Sequence, residues 1–394
     1  MNEGAAAPEA TDASVAAPED HRSFRFFDNR EKYLLFVTTC SEKAVLAKRV
    51  GVELRLVKPQ RPALRIFDAG MGEGTVLNDL MRNMHRRFRN VPWLVVGKEI
   101  SVEDVRLCFE KLADRFFEHP QMVLVITNMN YSEAPTLTPG DRFSDEVNWH
   151  EVPLEGDTSH QFCRQLRALH PLVAKGWEIE ISKKTGNPLY KRPSVLVLYR
   201  KDQDFVLDPI VPRGSLPNGR YDLVIASQPY RTRTSIETKI KNVIAPLAQS
   251  LAPGGRMIMV QSMGNDPGME IVNKIWPDEQ PFQTGRHAML EAAEEYLTEA
   301  GETDLNFTPY SDQRSVFRYR LHTLPSEVDR SIGLSTTMSA WNAAVYVAQI
   351  EDRRLEEIYG GRGQAHMEAT QEVLKKHGGL WFQDESFVIS RRRD

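Results

Sequence analysis

Leu64-Arg-Ile-Phe67-Asp68-Ala69-Gly70-Met71-Gly72-Glu73-Gly74-Thr75-Val-Leu77 is the stretch whose reading decides the fold. Leu64–Phe67 reads as a short buried strand, and the residues from Thr75 open a helix. A strand, a glycine-rich turn and a helix are the local geometry of a nucleotide-type binding crevice. The glycines let the backbone approach a ligand and adopt positive φ. The helix start points free N–H groups at the same place. The spacing is G-x-G-x-G rather than the dinucleotide G-x-G-x-x-G, and Asp68 stands two residues before the first glycine. A carboxylate there would repel a pyrophosphate and favour an ammonium group.

Outward from this turn, strand and helix patterns alternate. Pro92–Lys98 is an apolar run ending at the acid Glu99, and Ser101 caps an amphipathic helix over 101–117. Gln121–Thr127 is a third strand, followed by Asn128 and Met129. Arg220–Ala226 and Arg256–Ser262 are two more, joined by a helix over 239–251 and Pro253-Gly-Gly255. Strands separated by helices predict a doubly wound, mostly parallel sheet.

Asp-x-Gly-x-Gly-x-Gly after a strand resembles the first motif of the class I (Rossmann-like) S-adenosylmethionine (SAM) methyltransferases. The helix, L-x-P-G-G and strand order at 239–262 is similar to theirs too. The resemblance covers 64–131 and 221–262, and 315–391 loosely. It implies an α/β fold with a seven-stranded sheet, here with an inserted β-hairpin subdomain and a C-terminal lid or helical segment. It also implies SAM as cofactor and methyl transfer to an N or O acceptor (EC 2.1.1.-). Asp68, Ala69, Gly70, Met71, Gly72 and Gly74 would then cradle the amino-acid end of SAM. Glu99 would accept from both ribose hydroxyls, since a carboxylate offers two acceptors to a diol. Ile100, Asn128 and Met129 would border the adenine. Ser227, Gln228 and Tyr230, in the Ser-Gln-Pro-Tyr that ends the fourth strand, would face the acceptor. Amino-group methyltransferases carry Asn/Asp/Ser-Pro-Pro-Tyr/Phe there, and Gln228 replaces the first proline.

The remaining chain is divided as follows. Residues 1–22, rich in Ala, Pro, Glu and Asp, read as a disordered tail. Residues 23–60 read as a helical segment with Ser41 as an N-cap, able to close over the cofactor. Residues 61–131 and 220–262 form the two halves of the cofactor domain. Residues 132–219 form an insertion, with a strand from Glu178 turning at Thr185–Pro188 and Ser194–Tyr199 as its partner. Residues 263–394 supply a lid segment and the closing elements: a sixth strand at 315–322, a long helix over 335–359, a helix over 364–377 and a last strand at 386–390. His160, His170 and His287 are candidate bases. Trp276 and Phe282 are candidate pocket walls. The Arg82, His85, Arg86, Arg87 and Arg89 cluster reads as a solvated helix face, and Arg391–Arg393 as a solubilising tail.

With 394 residues, 41% hydrophobic, the chain can bury a large core. A net charge of −4 makes nucleic acid an unlikely partner on electrostatic grounds, and the expected partner is a small-molecule acceptor. No run approaches the roughly 18 apolar residues of a membrane span. Cys40, Cys108 and Cys163 show neither disulfide nor metal spacing, which points to a reducing, cytoplasmic setting. An aminopropyl transferase using decarboxylated SAM, a catalytically silent SAM-binding module, and a methyltransferase for protein or nucleic-acid amino groups are the alternatives.

Overall fold

The computed structural model describes residues 30–140, 146–182, 188–216, 219–323, 325–329, 331–361 and 364–393. The tail expected over 1–22 and most of the turn at 185–188 lie outside the described residues. Among the described residues there are twelve strands: β1 (Leu64–Asp68), β2 (Trp93–Lys98), β3 (Met122–Thr127), β4 (Asn148–Leu154), β5 (Ile179–Ile181), β6 (Pro188–Tyr190), β7 (Ser194–Arg200), β8 (Tyr221–Ser227), β9 (Leu251–Ser262), β10 (Leu305–Thr308), β11 (Val316–Arg320) and β12 (Trp381–Arg391). All but β5 and β6 join one ten-stranded sheet, with the path β10-β12-β9-β8-β1-β2-β3-β7-β4 and β11 beside β12.

The centre of the sheet is parallel. β1 pairs in parallel with β2 on one side and β8 on the other, β2 with β3, and β8 with β9. These strands are buried on both faces, which explains their continuous apolar runs. Leu64, Ile66, Val95 and Leu124 face one core layer, closed by the Thr75–Arg87 and Val102–Glu118 helices. Phe67, Val96, Val125 and Val224 face a second layer on the other side.

The sheet is larger than the seven strands expected. Ser194–Arg200 does not pair with the strand from Glu178. That partner is β6, in a small antiparallel hairpin with β5. β7 instead lies antiparallel on β3, and β4 lies parallel on β7. Every residue of β7 is buried, so it needs cover on both faces that a two-stranded hairpin cannot give.

The sixth strand also moves. β11 does form near 315–322, but it pairs with the first half of β12, whereas β10 pairs with the second half and forms the sheet edge. The long helix expected over 335–359 is two helices, Leu334–Val347 and Asp352–Gly361. Gln349, at φ 52°, breaks them. The 239–251 helix widens into a π-helical turn at Ile240–Ile244, just before Pro246, which has no N–H to donate. Ser41 stands at the N-cap position as expected, but its hydroxyl makes no capping bond and accepts from the Arg320 amide at 2.9 Å instead. Arg391 is no solubilising tail. It is buried, and it pairs with Glu302 at 2.8 Å and Asp304 at 3.1 Å.

One ionic cluster ties the layers. Glu53, fully buried on the Glu42–Leu54 helix, meets Arg49 at 3.3 Å, Arg256 of β9 at 2.8 Å and Arg314 at 3.2 Å.

Candidate functional site

In open α/β sheets ligands bind at the carboxyl ends of the strands, where the strand order reverses. Here the chain runs from β1 to β2 and β3 on one side, then returns to β8 and β9 on the other, so the reversal falls between β1 and β8. The Asp68–Gly74 turn leaves β1 at that point. Ala69 still donates to Ile225 of β8 at 2.8 Å, and two residues later Met71 donates to Lys98 of β2 at 3.0 Å. The turn thus crosses the mouth of the crevice. The chain has a doubly wound, Rossmann-like α/β fold.

The glycines of the turn have different tasks. A Cβ on Gly70 would meet only the Ser227 carbonyl, at 3.8 Å. Gly72 sits at φ 55°, and a Cβ there would come within 2.9 Å of the Tyr33 hydroxyl. Gly74, at φ 83°, precedes the helix, and a Cβ would lie 2.7 Å from Cys108 Sγ. Gly74 therefore serves the contact between two helices, and it does not line the cavity. Ala69 is fully buried behind the turn, while Met71 packs at 3.5 Å from Cys108 Sγ and reaches the cavity wall.

The cavity has a volume of about 860 Å³. Asp68, Gly70, Met71, Gly72, Glu99, Ile100, Ser227, Gln228 and Tyr230 line it together. Burial pushes the Asp68 carboxyl up to about 7, opposed by a hydrogen bond from the Gly70 amide and by the Lys43 charge. Glu99 also sits above the usual carboxylate range, through burial and the field of Asp104. Its Oε2 accepts from the Gly72 amide at 2.8 Å, and its Oε1 accepts from the Ile100 and Ser101 amides, each at 2.8 Å. Glu99 thus locks the glycine turn to the end of β2.

Asn128 and Met129 do not reach the cavity. Asn128 donates to the carbonyls of Gly176 at 3.1 Å and Arg192 at 3.0 Å, and accepts from the Ser194 amide at 2.8 Å. It pins the insertion to β3. Met129 is buried in the core. Asn130, Tyr131 and Ser132 take the cavity side instead. Asn128→Ala would leave the buried Ser194 amide without a partner and the Gly176 and Arg192 carbonyls with only the Ser194 hydroxyl, and is expected to lower stability by about 1–3 kcal/mol. A urea midpoint equal to that of the parent protein would remove this assignment.

At the end of β8, Gln228 has φ 48°, a costly conformation for a side-chain-bearing residue. Its Nε2 donates to Ser262 Oγ at 2.9 Å. The Tyr230 hydroxyl donates to Gln261 at 2.7 Å, and burial holds that phenol protonated, so it is a donor and not a base.

The cavity has other walls. The Arg30–Thr39 helix crosses the mouth, with Arg30 donating to Ser101 Oγ at 2.7 Å and pairing with Asp104 at 3.3 Å. Tyr33, Lys43, Lys98, Tyr131, Lys239 and Tyr346 also line the cavity. Tyr33 and Lys43 belong to the 23–60 segment read from the sequence as able to close over the cofactor; no local pattern marks Lys98, Tyr131, Lys239 or Tyr346. Of the candidate bases, His160 and His287 are exposed and His170 stacks on Phe109 at 6.2 Å; no histidine among the described residues lines the cavity. Trp276 packs on Trp341 at 5.9 Å instead of walling the cavity, and Phe282 borders a small recess beside Tyr230. In the basic cluster, Arg82 pairs with Asp79 and Arg86 with Asn83 on the same helix. Among the described residues no group of side chains could hold a metal ion, and no helix is long and apolar enough to cross a membrane.

No family model and no curated protein sequence matches the chain. Solved structures do. One is described as a sarcosine dimethylglycine methyltransferase from Galdieria sulphuraria, with 11% identity and TM-score 0.36 over 89% of this chain and 85% of that one. Another is a geranyl diphosphate methyltransferase in complex with GPP and sinefungin, with 12% identity and TM-score 0.30 over 87% and 78%. A third is a plantazolicin methyltransferase in complex with SAH, with 9% identity and TM-score 0.30 over 93% and 88%. These are likenesses of fold alone.

Proposed function

We propose that the chain binds SAM and transfers its methyl group to an N or O atom of a small or medium-sized acceptor. The observation that carries the reading is the meeting of the Asp68–Gly72 turn, the Glu99 carboxylate and the Ser227–Tyr230 turn in one cavity at the strand-order reversal. Asp68 holds the α-ammonium of the cofactor. Glu99 accepts from the ribose hydroxyls, and Ile100 packs on the adenine. A volume of about 860 Å³ suits a cofactor and a modest acceptor. Residues 61–131 and 220–262 are the cofactor-binding halves, and the 132–219 insertion supplies part of the acceptor wall.

SAM brings an activated sulfonium. The chain's residues therefore have to aim the acceptor lone pair at the methyl carbon, which can supply about 7–11 kcal/mol of the barrier. Ser227 and Gln228 present oxygens that can orient an acceptor N–H or O–H, and Tyr230 offers a ring face. A neutral amine, or an acceptor already ionised, needs no base.

Isothermal titration with SAM and with its decarboxylated form tests the proposal. Binding of SAM in preference to the decarboxylated form is the expected result, and binding of neither overturns it. The affinity is expected to depend on pH through Asp68. Only the ionised carboxylate attracts the ammonium, so with Asp68 near 7 the Kd is expected to be roughly eightfold weaker at pH 6 than at pH 7.5. Asp68→Asn is expected to bind more weakly and to flatten this profile. An unchanged slope in that variant would assign the titration to another group.

A further inference from the structure

Two ammonium groups in the cavity, Lys239 buried and Lys98 half-buried, have no carboxylate partner. Lys239 is buried, and its Nζ donates to the Thr232 carbonyl at 2.8 Å and lies 5.0 Å from the centre of the Tyr230 ring. Lys98 Nζ lies 4.7 Å from the centre of the Tyr131 ring. Neither lysine has a carboxylate within ion-pair distance among the described residues. The carboxylates whose fields reach Lys98 are Glu99 and Glu133. Neither comes within ion-pair distance of Lys98: Glu99 turns its oxygens to the three amides described above, and Glu133 accepts from the Tyr190 hydroxyl and the amides of Asn130 and Gly140. Burial accordingly drags both ammonium groups below the usual lysine range.

The two lysines belong to one wall. The Tyr131 hydroxyl donates to the Pro229 carbonyl at 2.8 Å, and Tyr230 follows directly in the chain. The wall therefore runs Lys98, Tyr131, Pro229, Tyr230, Lys239, along the turn assigned to the acceptor. A buried cation is costly unless it is paired, and a tyrosine face compensates only in part. On the cofactor side the cations are paired, Arg30 with Asp104 at 3.3 Å and Lys43 with Glu42 at 3.2 Å.

We infer that the methyl acceptor carries an anionic group, a carboxylate or a phosphate, which the Lys98 and Lys239 ammonium groups bind. This rests on the methyltransferase reading above. It goes further by excluding neutral and cationic acceptors as the preferred class.

The test uses the full chain saturated with SAH, titrated with inorganic pyrophosphate and, separately, with succinate. At least one of the two is expected to bind, and the preferred one identifies phosphate or carboxylate as the group recognised. Lys239→Met is expected to raise its Kd at least tenfold, leave the SAH Kd within twofold, and not lower Tm, because an unpaired buried cation is removed. Lys98→Met is expected to weaken the anion similarly, and Lys239→Arg to retain part of the binding. Absence of anion binding to the SAH-loaded protein overturns the inference. So does anion binding unchanged in both methionine variants. A collapse of SAH affinity in Lys239→Met would assign the cation to the cofactor's own carboxylate and also overturn it. Failure of SAH to bind at all, with the anion still bound through both lysines, would instead remove the methyltransferase reading and leave the anion site standing.

Discussion

Glu99→Ala is expected to weaken SAM binding by about a hundredfold or more. The proposed loss is two charge-assisted hydrogen bonds to the ribose, each worth about 1.5–3 kcal/mol. A second loss is visible without ligand. The Gly72, Ile100 and Ser101 amides all donate to this carboxylate, so the alanine variant also frees the glycine turn from the end of β2. Glu99→Gln keeps one acceptor oxygen and is expected to fall between the alanine variant and the parent. Calorimetric titration of the three proteins, with circular dichroism as a check on folding, measures this. Parental affinity in the alanine variant would move the cofactor away from β2.

Glu53→Ala is expected to destabilise the protein by about 3–5 kcal/mol, the usual cost of removing one member of a buried ion cluster. Glu53 is fully buried, and its carboxylate is held below the usual range against the cost of burial by Arg256, Arg314 and Arg49. The variant would leave three guanidinium groups gathered around a vacancy. The Glu110–Arg167 pair provides the comparison, because both partners are exposed and the pair is worth little. Urea denaturation should show a large loss for Glu53→Ala and no resolvable change for Glu110→Ala. Equal midpoints would mean that the cluster does not hold the Glu42–Leu54 helix to β9.

The central sheet is legible in the sequence for a physical reason. Strands buried on both faces read as unbroken apolar runs, and their ends are marked by Asp68, Glu99 and Ser227. The added strands lack that signature. Asn148–Leu154 is only partly buried and contains Pro153, so β4 resembles a loop. Ser194–Leu198 is apolar enough to read as a strand, but its partner depends on β3, some 70 residues away, and no local pattern encodes that pairing. The site divides in the same way. Asp68, Gly72 and Glu99 are set by a short contiguous geometry. The direction of the Asn128 side chain is set by Gly176, Arg192 and Ser194, which no motif connects to it. No local pattern marks Lys98 or Lys239, because a lysine held without an acid partner is a property of the assembled cavity.

β12 lies in the interior of the sheet and pairs with β9, β10 and β11. It is also made after each of them. While the ribosome is still adding residues 381–391, the β9 edge stays open and β10 and β11 have nothing to pair with. Emergence of this segment from the exit tunnel therefore gates completion of the fold, and a nascent chain halted before it presents an unpaired strand edge to chaperones.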